Sequence, residues 1–155
     1  MTLSDGAFRE FGVGEPGPLA AISVLLRDAE GRFLLQLRDD RPDVLGGGMW
    51  GLFGGLIEPG EDLATAALRE VAEETGMTLS AEELTPVAKT ISEGAQRTRL
   101  YVAASSRRVG PGDIRLGEGA GFAFLTQRQL GSFSLVPALR PILDHVTRRN
   151  RAGGA

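Results

Sequence analysis

The chain contains no cysteine. Disulfides, thiolate metal sites and a cysteine nucleophile are therefore excluded. A single histidine, His145, argues against a histidine-based metal centre and against a Ser-His-Asp triad; it falls in an expected C-terminal helix and reads as a packing or surface residue. There is one tryptophan, and no apolar run reaches transmembrane length. Excess basic charge is also missing: the formal net charge is −3, which gives no support to a nucleic-acid surface. Arg148, Arg149 and Arg151 form only a short basic cluster, of the kind that ends a solvated helix. The first residues lack a charged segment followed by an apolar one, so no signal peptide is expected and the reading is cytoplasmic.

What is present fits one globular domain. A length of 155 residues suits one core, and 42% apolar with 24% charged residues is ordinary for a folded soluble protein. Twenty-two glycines predict many loops. Residues 1–17 and 150–155 are expected to be peripheral or flexible.

Most of the chemistry is concentrated in Gly55 to Met77, GLIEPGEDLATAALREVAEETGM. Pro59-Gly60 marks a turn. Asp62 is an N-cap, Leu63 to Thr75 is free of breakers, and Gly76 suits a left-handed C-cap. A helix over 63–75 follows. At roughly 100° per residue, Glu70, Glu73 and Glu74 share an arc of about 100°, and Ala64, Leu68, Val71 and Ala72 share another. One face then packs on a sheet while the other presents three carboxylates. A solvated acidic face would explain three glutamates alone. Gly55 and Gly60, which allow close backbone approach, and Glu61 at the helix entrance change that balance. Like charges three and four residues apart destabilise a helix. A hard divalent cation removes the conflict, because Mg²⁺ and Mn²⁺ prefer oxygen ligands.

The rest of the chain predicts strands at 19–26, 32–38, 50–53, 84–91, 98–105 and 122–125. A hairpin turn is expected at 27–31, a loop at 39–48 and a glycine-rich connection at 107–121. A capped helical turn at 126–130 and a helix from Pro137 to Arg149 complete the reading. Strands on both sides of one central helix imply a mixed sheet between helices.

The pattern Gly55, Glu61, Arg69, Glu70, Val71, Glu73, Glu74, Gly76 and Met77 resembles the Nudix box, G-x5-E-x7-R-E-U-x-E-E-x-G-U with U a bulky aliphatic residue, at all nine defined positions. The flanks Leu35-Gln36-Leu37-Arg38, Trp50 to Gly55 and Glu118-Gly119 extend the likeness. One departure is Phe53, where many members carry proline. The resemblance implies an α/β fold, an α/β/α sandwich with a mixed central sheet. It also implies metal-dependent hydrolysis of a nucleoside diphosphate linked to a further group, with Mg²⁺ or Mn²⁺ as cofactor.

By position, Glu70 and Glu74 are implied as core metal ligands, with Glu73 direct or through water. Gly54 or Gly55 is implied to offer a carbonyl. Glu61 would orient a ligand, and Arg69 would act structurally and electrostatically. The general base could be a box glutamate, Glu118 or Glu93. Arg38 could contact substrate phosphates or stand exposed at a strand end. Trp50 and Phe53 could stack on a base or pack in the core. The implied partner is a small nucleotide, with no nucleic acid, no membrane and room for a homodimer.

Two other readings differ in class. A non-catalytic nucleotide sensor on this fold would tolerate loss of the glutamates, which are intact here. An isomerase acting on isoprenoid diphosphates would favour a cysteine, which is missing. The substrate stays open among nucleoside triphosphates, nucleotide sugars, ADP-ribose and dinucleoside polyphosphates; Pro86 lies too close to the box to be the downstream proline expected of an ADP-ribose enzyme.

Overall fold

A computed structural model describes residues 3–44 and 46–154. Leu45, in the expected 39–48 loop, and the terminal residues Met1, Thr2 and Ala155 lie outside them. Eight strands form one mixed sheet: β1 (Arg9–Glu10), β2 (Ala20–Arg27), β3 (Phe33–Leu37), β4 (Trp50–Gly51), β5 (Phe53–Leu56), β6 (Leu84–Ile91), β7 (Arg99–Arg108) and β8 (Gly121–Leu125). The helices are α1 (Leu63–Thr75), α2 (Gln127–Leu130) and α3 (Leu139–Gly153). The strand order is β1-β6-β7-β2-β3-β4, with β5 also pairing β2 and β8 also pairing β3. Parallel pairs (β1 with β6, β2 with β7) occur beside antiparallel ones.

Strand β2 is the organiser. Its alternation sends Ile22, Val24 and Leu26 to one face, where they pack with Ala66, Ala67 and Val71 of α1. Leu25 points the other way and joins Leu35, Val102, Leu139, Ile142 and Leu143, the last three from α3. Helices thus cover both faces of the sheet. The partner of β2 changes along its length: Ala21 to Val24 pair with β5, whereas Arg27 pairs with Phe33 of β3. That fork brings the glycines of β5 alongside the centre of the sheet.

Several boundaries differ from those the sequence suggested. The strand expected at 50–53 is two strands, and the second runs to Leu56, inside the glycine-rich entrance. Gly54 and Gly55 pair with Ser23 and Ile22. A Cβ at Gly54 would lie 2.2 Å from the Ile22 carbonyl oxygen, so only glycine allows this pairing. Strand β7 continues to Arg108 because Arg108 still finds a partner in Arg27. Helix α3 begins at Leu139, two residues after Pro137, and its first-turn proline is Pro141.

The expectation that residues 1–17 are peripheral or flexible needs correction over residues 3–11; Met1 and Thr2 lie outside the described residues. Leu3 and Phe8 are buried in the α1-side core. Arg9 and Glu10 pair in parallel with Ala88 and Lys89, and the Phe11 N–H donates to the Lys89 carbonyl at 2.8 Å. Asp5 accepts from Lys89 Nζ and from the Tyr101 hydroxyl, both at 2.7 Å. These two partners hold its carboxyl below the usual carboxylate range. A polar, glycine-rich segment gave no periodicity from which this anchoring could be read.

Phe8 is 4% exposed and meets Tyr101 edge-on at 5.1 Å between ring centroids. Phe8→Ala should therefore cost about 3 kcal/mol or more, the range for deleting a buried aromatic ring. Urea unfolding of the variant should show a lower midpoint at unchanged slope; an unaltered midpoint would mean the segment is not part of the core.

Candidate active site

Helix α1 is fixed at both ends as the sequence predicts. Asp62 Oδ1 accepts from the Thr65 N–H at 2.7 Å, satisfying one of the free N–H groups of the first turn. Gly76 takes φ of +73° and its N–H donates to the Ala72 carbonyl at 2.9 Å.

The carboxylates of α1 do not share one solvated face. Glu70 and Glu74 are buried against the sheet, Ala72 is exposed, and the core face is Ala66, Ala67, Val71 and Thr75. The Glu73 side chain is 59% exposed and the Glu70 side chain 11%. The expected cluster of three is thus a buried pair with one outlier. A helix turn places Glu70 and Glu74 on one line, and the line falls beneath the two glycines of β5. The Gly54 N–H donates to Glu74 Oε1 at 3.3 Å. A Cβ at Gly55 would stand 2.6 Å from the Glu70 carboxylate, so the strand can lie this close only because Gly55 has no side chain.

Gln36, unassigned by the sequence reading, is the other neighbour of Glu74. Its buried amide nitrogen donates to Glu74 Oε2 at 3.1 Å and to the Glu118 carbonyl at 2.8 Å. One side chain therefore ties β3, α1 and the 114–120 loop together. The same loop is fastened to the end of α1, where the Arg115 and Gly117 N–H groups donate to the Thr75 and Glu74 carbonyls, each at 2.8 Å. The only sequence signal for Gln36 was a polar residue inside an apolar strand.

Arg69 holds the entrance of the helix. Its Nε and Nη2 pair with both oxygens of Glu61 at 2.8 and 2.7 Å, its Nη1 reaches Glu70 Oε1 at 2.7 Å, and Nη2 also donates to the Leu56 carbonyl. The bidentate pairing pushes the Glu61 carboxyl down to about 2 and raises the Arg69 guanidinium above its ordinary value. Glu74 is pushed the opposite way. Burial, then the charges of Glu70 and Glu118, raise it to about 8. Glu118 is exposed yet close enough to act on Glu74 and on Arg38. Glu93 stands exposed between β6 and β7 and is not among the charges acting on Glu74.

An oxygen-only donor set fits a hard divalent cation better than zinc. Glu70 and Glu74 are the groups placed to hold one. Among the described residues, no three Asp, Glu or His side chains stand gathered as a cation site, so Glu73 or Glu118 would have to turn inward to complete it.

On the α3 side, a cleft of about 390 Å³ opens against Gly54 and Gly55, within the range of small-molecule sites. Arg38, Ser23, Thr98, Leu100, Val136 and Ile142 contribute to its walls. The Arg38 side chain lies close to Gly46 and Gly51, where a Cβ would come within 3.5 and 3.1 Å of it. Burial lowers the affinity of Arg38 for its proton, and Glu74 and Glu118 oppose that effect. Of the two alternatives for Trp50 and Phe53, core packing fits this arrangement and base stacking does not. Phe53 is 0% exposed in the α1-side core, and Trp50 packs edge-on against Phe133 at 5.4 Å. Neither ring lines the cleft.

Comparison with known proteins agrees with this architecture. A sequence model of the NUDIX domain matches residues 17–146. No curated protein sequence matches. Among solved structures, a MutT protein from Methanosarcina mazei Go1 is similar over 89% of this chain and 99% of its own, at 25% identity and a TM-score of 0.71. A C. elegans Ap4A hydrolase is similar over 86% and 98%, at 21% identity and a TM-score of 0.64. A bifunctional NMN adenylyltransferase/ADP ribose pyrophosphatase from Francisella tularensis, solved with AMP and a manganese ion, is similar over 88% of this chain and 43% of its own, at 19% identity and a TM-score of 0.66. No helix among the described residues is long and apolar enough to cross a membrane.

The electrostatics of Glu74 predict a pH dependence. The folded chain keeps a proton on Glu74 up to about pH 8, whereas an unfolded glutamate releases it near its ordinary value, about 4.3. Across that window the folded state binds more protons, so stability is greatest at the acid end and falls as pH rises. In chelator, thermal unfolding of the wild type should lose stability between pH 5 and pH 8. Glu74→Gln should lose less, and should be the more stable of the two at pH 8. Identical profiles would show that Glu74 is not strained by burial.

Proposed function

The chain belongs to the NUDIX domain family, and from that premise we propose that it is a pyrophosphohydrolase. It opens the phosphoanhydride bond of a nucleoside diphosphate linked to a further group. The observation that carries this reading is the buried carboxylate pair. Glu70 and Glu74 lie under Gly54 and Gly55, and the same glycines border a cleft of nucleotide size. A diphosphate lying along β5 would have carboxylate oxygens on one side and room for the nucleoside on the other.

Glu70 and Glu74, with Glu73 turning in, would hold Mg²⁺ or Mn²⁺, which supplies positive charge to a diphosphate and to the water that attacks it. Arg69 and Glu61 keep Glu70 in place. Arg38, on the cleft wall, binds phosphate oxygens. Glu118 is the favoured general base. It sits on a loop fastened to α1 and to Gln36, and its charge reaches both Glu74 and Arg38. As the water oxygen bonds to phosphorus, its proton passes to the Glu118 carboxylate. The bridging P–O bond breaks, and the electron pair leaves on the departing phosphate oxygen.

Two measurements test this. Turnover should disappear with chelator and return with Mg²⁺ or Mn²⁺. Glu70→Gln and Glu74→Gln should each lower kcat by about 10³ or more, roughly 4 kcal/mol, with Glu61→Gln costing less. An active Glu74→Gln enzyme would refute the assignment.

The second is product analysis in ¹⁸O-water across nucleoside triphosphates, nucleotide sugars, ADP-ribose and dinucleoside polyphosphates. Label should enter a phosphate or nucleotide released from a diphosphate, and phosphomonoesters should be left intact. A monoester offers one phosphate and a poor alkoxide leaving group, which a site built for two adjacent phosphates does not favour. Release of phosphate from a monoester with every diphosphate untouched would overturn the reading.

A further inference from the structure

The outer wall of the cleft is made partly by Leu19 and Gln96, which come from two segments distant in sequence. Leu19 follows the stretch Gly14-Glu15-Pro16-Gly17-Pro18, a stiff strap because both prolines fix φ and hold the preceding residues extended. Gln96 lies at the tip of the β6–β7 hairpin, closed by the Ser92 N–H donating to the Thr98 carbonyl at 2.9 Å.

Arg97 joins the two. Its Nε donates to the Glu15 carbonyl at 2.8 Å and its Nη2 to the Val13 carbonyl at 3.0 Å, while its own carbonyl accepts from the Gly17 N–H at 2.8 Å. The fit is close. A Cβ at Gly17 would lie 2.1 Å from the Gln96 carbonyl oxygen, and one at Gly14 2.7 Å from Arg97 Nη2. Arg97 has φ of +46° and is the one non-glycine residue with positive φ among the described residues. A side chain in that region carries a cost that glycine would avoid. The position nonetheless holds arginine, whose guanidinium grips the strap.

Apolar packing contributes little to this hold. Val13 is 87% exposed. A second cavity of about 310 Å³ lies behind the strap, bordered by Val13, Arg97, Pro137 and Pro141, and it shares Thr90 and Ala138 with the cleft. The strap therefore has space behind it and is held to the hairpin by two hydrogen bonds from the Arg97 side chain and one to the Arg97 carbonyl.

We infer that Arg97 latches residues 13–17 to the β6–β7 hairpin and so sets the outer wall of the cleft, as a positioning residue for the nucleoside part of the substrate. The role in turnover rests on the hydrolase reading above; the latch itself does not. Arg97→Gly removes the guanidinium while suiting the backbone angle, and Gly17→Ala dislodges the strap from the other side.

Both variants should raise KM for a nucleoside triphosphate on the order of tenfold, with kcat near the wild-type value. Inorganic tripolyphosphate has the anhydride but no nucleoside. Its KM, or its inhibition constant where it is not cleaved, should stay unchanged, and Arg97→Lys should recover part of the nucleotide affinity. An unchanged nucleotide KM, or equal losses on both compounds, would overturn the proposal. Hydrogen exchange reads the latch without turnover. The Gly17 amide, bonded to the Arg97 carbonyl, should exchange roughly tenfold faster in Arg97→Gly than in the wild type. A nucleoside triphosphate added in chelator should slow it in the wild type only. Unaltered exchange in Arg97→Gly refutes the latch, even if the chain cleaves no phosphoanhydride and the hydrolase reading has failed separately.

Discussion

The Glu74 carboxylate is buried, and the surrounding structure is arranged around that burial. A carboxyl group taken out of water must be met by hydrogen-bond partners, and its ionised form by positive charge as well. Here the donors are a backbone N–H from β5 and an amide from β3, on opposite sides of the group. Both must be present at once. β5 can approach only as glycine. β3 can contribute only if Gln36 points inward at that register. α1 must start and stop where it does for Glu74, one turn after Glu70, to fall between them. The caps at Asp62 and Gly76, the fork of β2 and the loop fastened beyond α1 are all conditions on this one contact.

Charge near the helix is divided into two environments. At its entrance, Glu61 and Arg69 neutralise each other with short bidentate hydrogen bonds, and Glu70 shares the same guanidinium. Four residues on, Glu74 has amide donors and negative neighbours. The first environment is self-contained and stiff. In the second, burial and the charges of Glu70 and Glu118 disfavour the ionised form, which is where added positive charge has the most to stabilise. Adjacent turns of one helix thus serve as a fixed support and as a site with an unmet electrostatic requirement.

Local signals in the sequence carried a long way. Asp62, the breaker-free run to Thr75 and Gly76 define α1 by caps and propensity alone, and the strand over 84–91 follows from its weak alternation. Long-range facts were not legible. Periodicity put Glu70 and Glu74 on a polar face, because helical spacing cannot say that glycines on another strand will cover it. Gln36 counted only as part of a flank and received no role, since its partners are 38 and 82 residues away. Phe8 stood alone in polar surroundings. For Phe53 and Trp50, stacking and core packing both stayed open, because ring chemistry does not reveal which face of a strand is turned inward.

The packing of Trp50 has a spectroscopic consequence. It is the sole tryptophan in the chain. Its N–H donates to the Ser134 carbonyl, its carbonyl accepts from the Val136 N–H, and its ring abuts Phe133. Val136 in turn lies on the cleft wall beside Gly46 and Gly51, where the Arg38 side chain runs. The indole emission of this protein therefore comes from one place, directly behind the wall that an occupant of the cleft would press on. A displacement of residues 133–136 is transmitted to the ring through two backbone hydrogen bonds and an aromatic contact. The chain carries a native, single-site optical gauge of its cleft, with no other indole to obscure the signal.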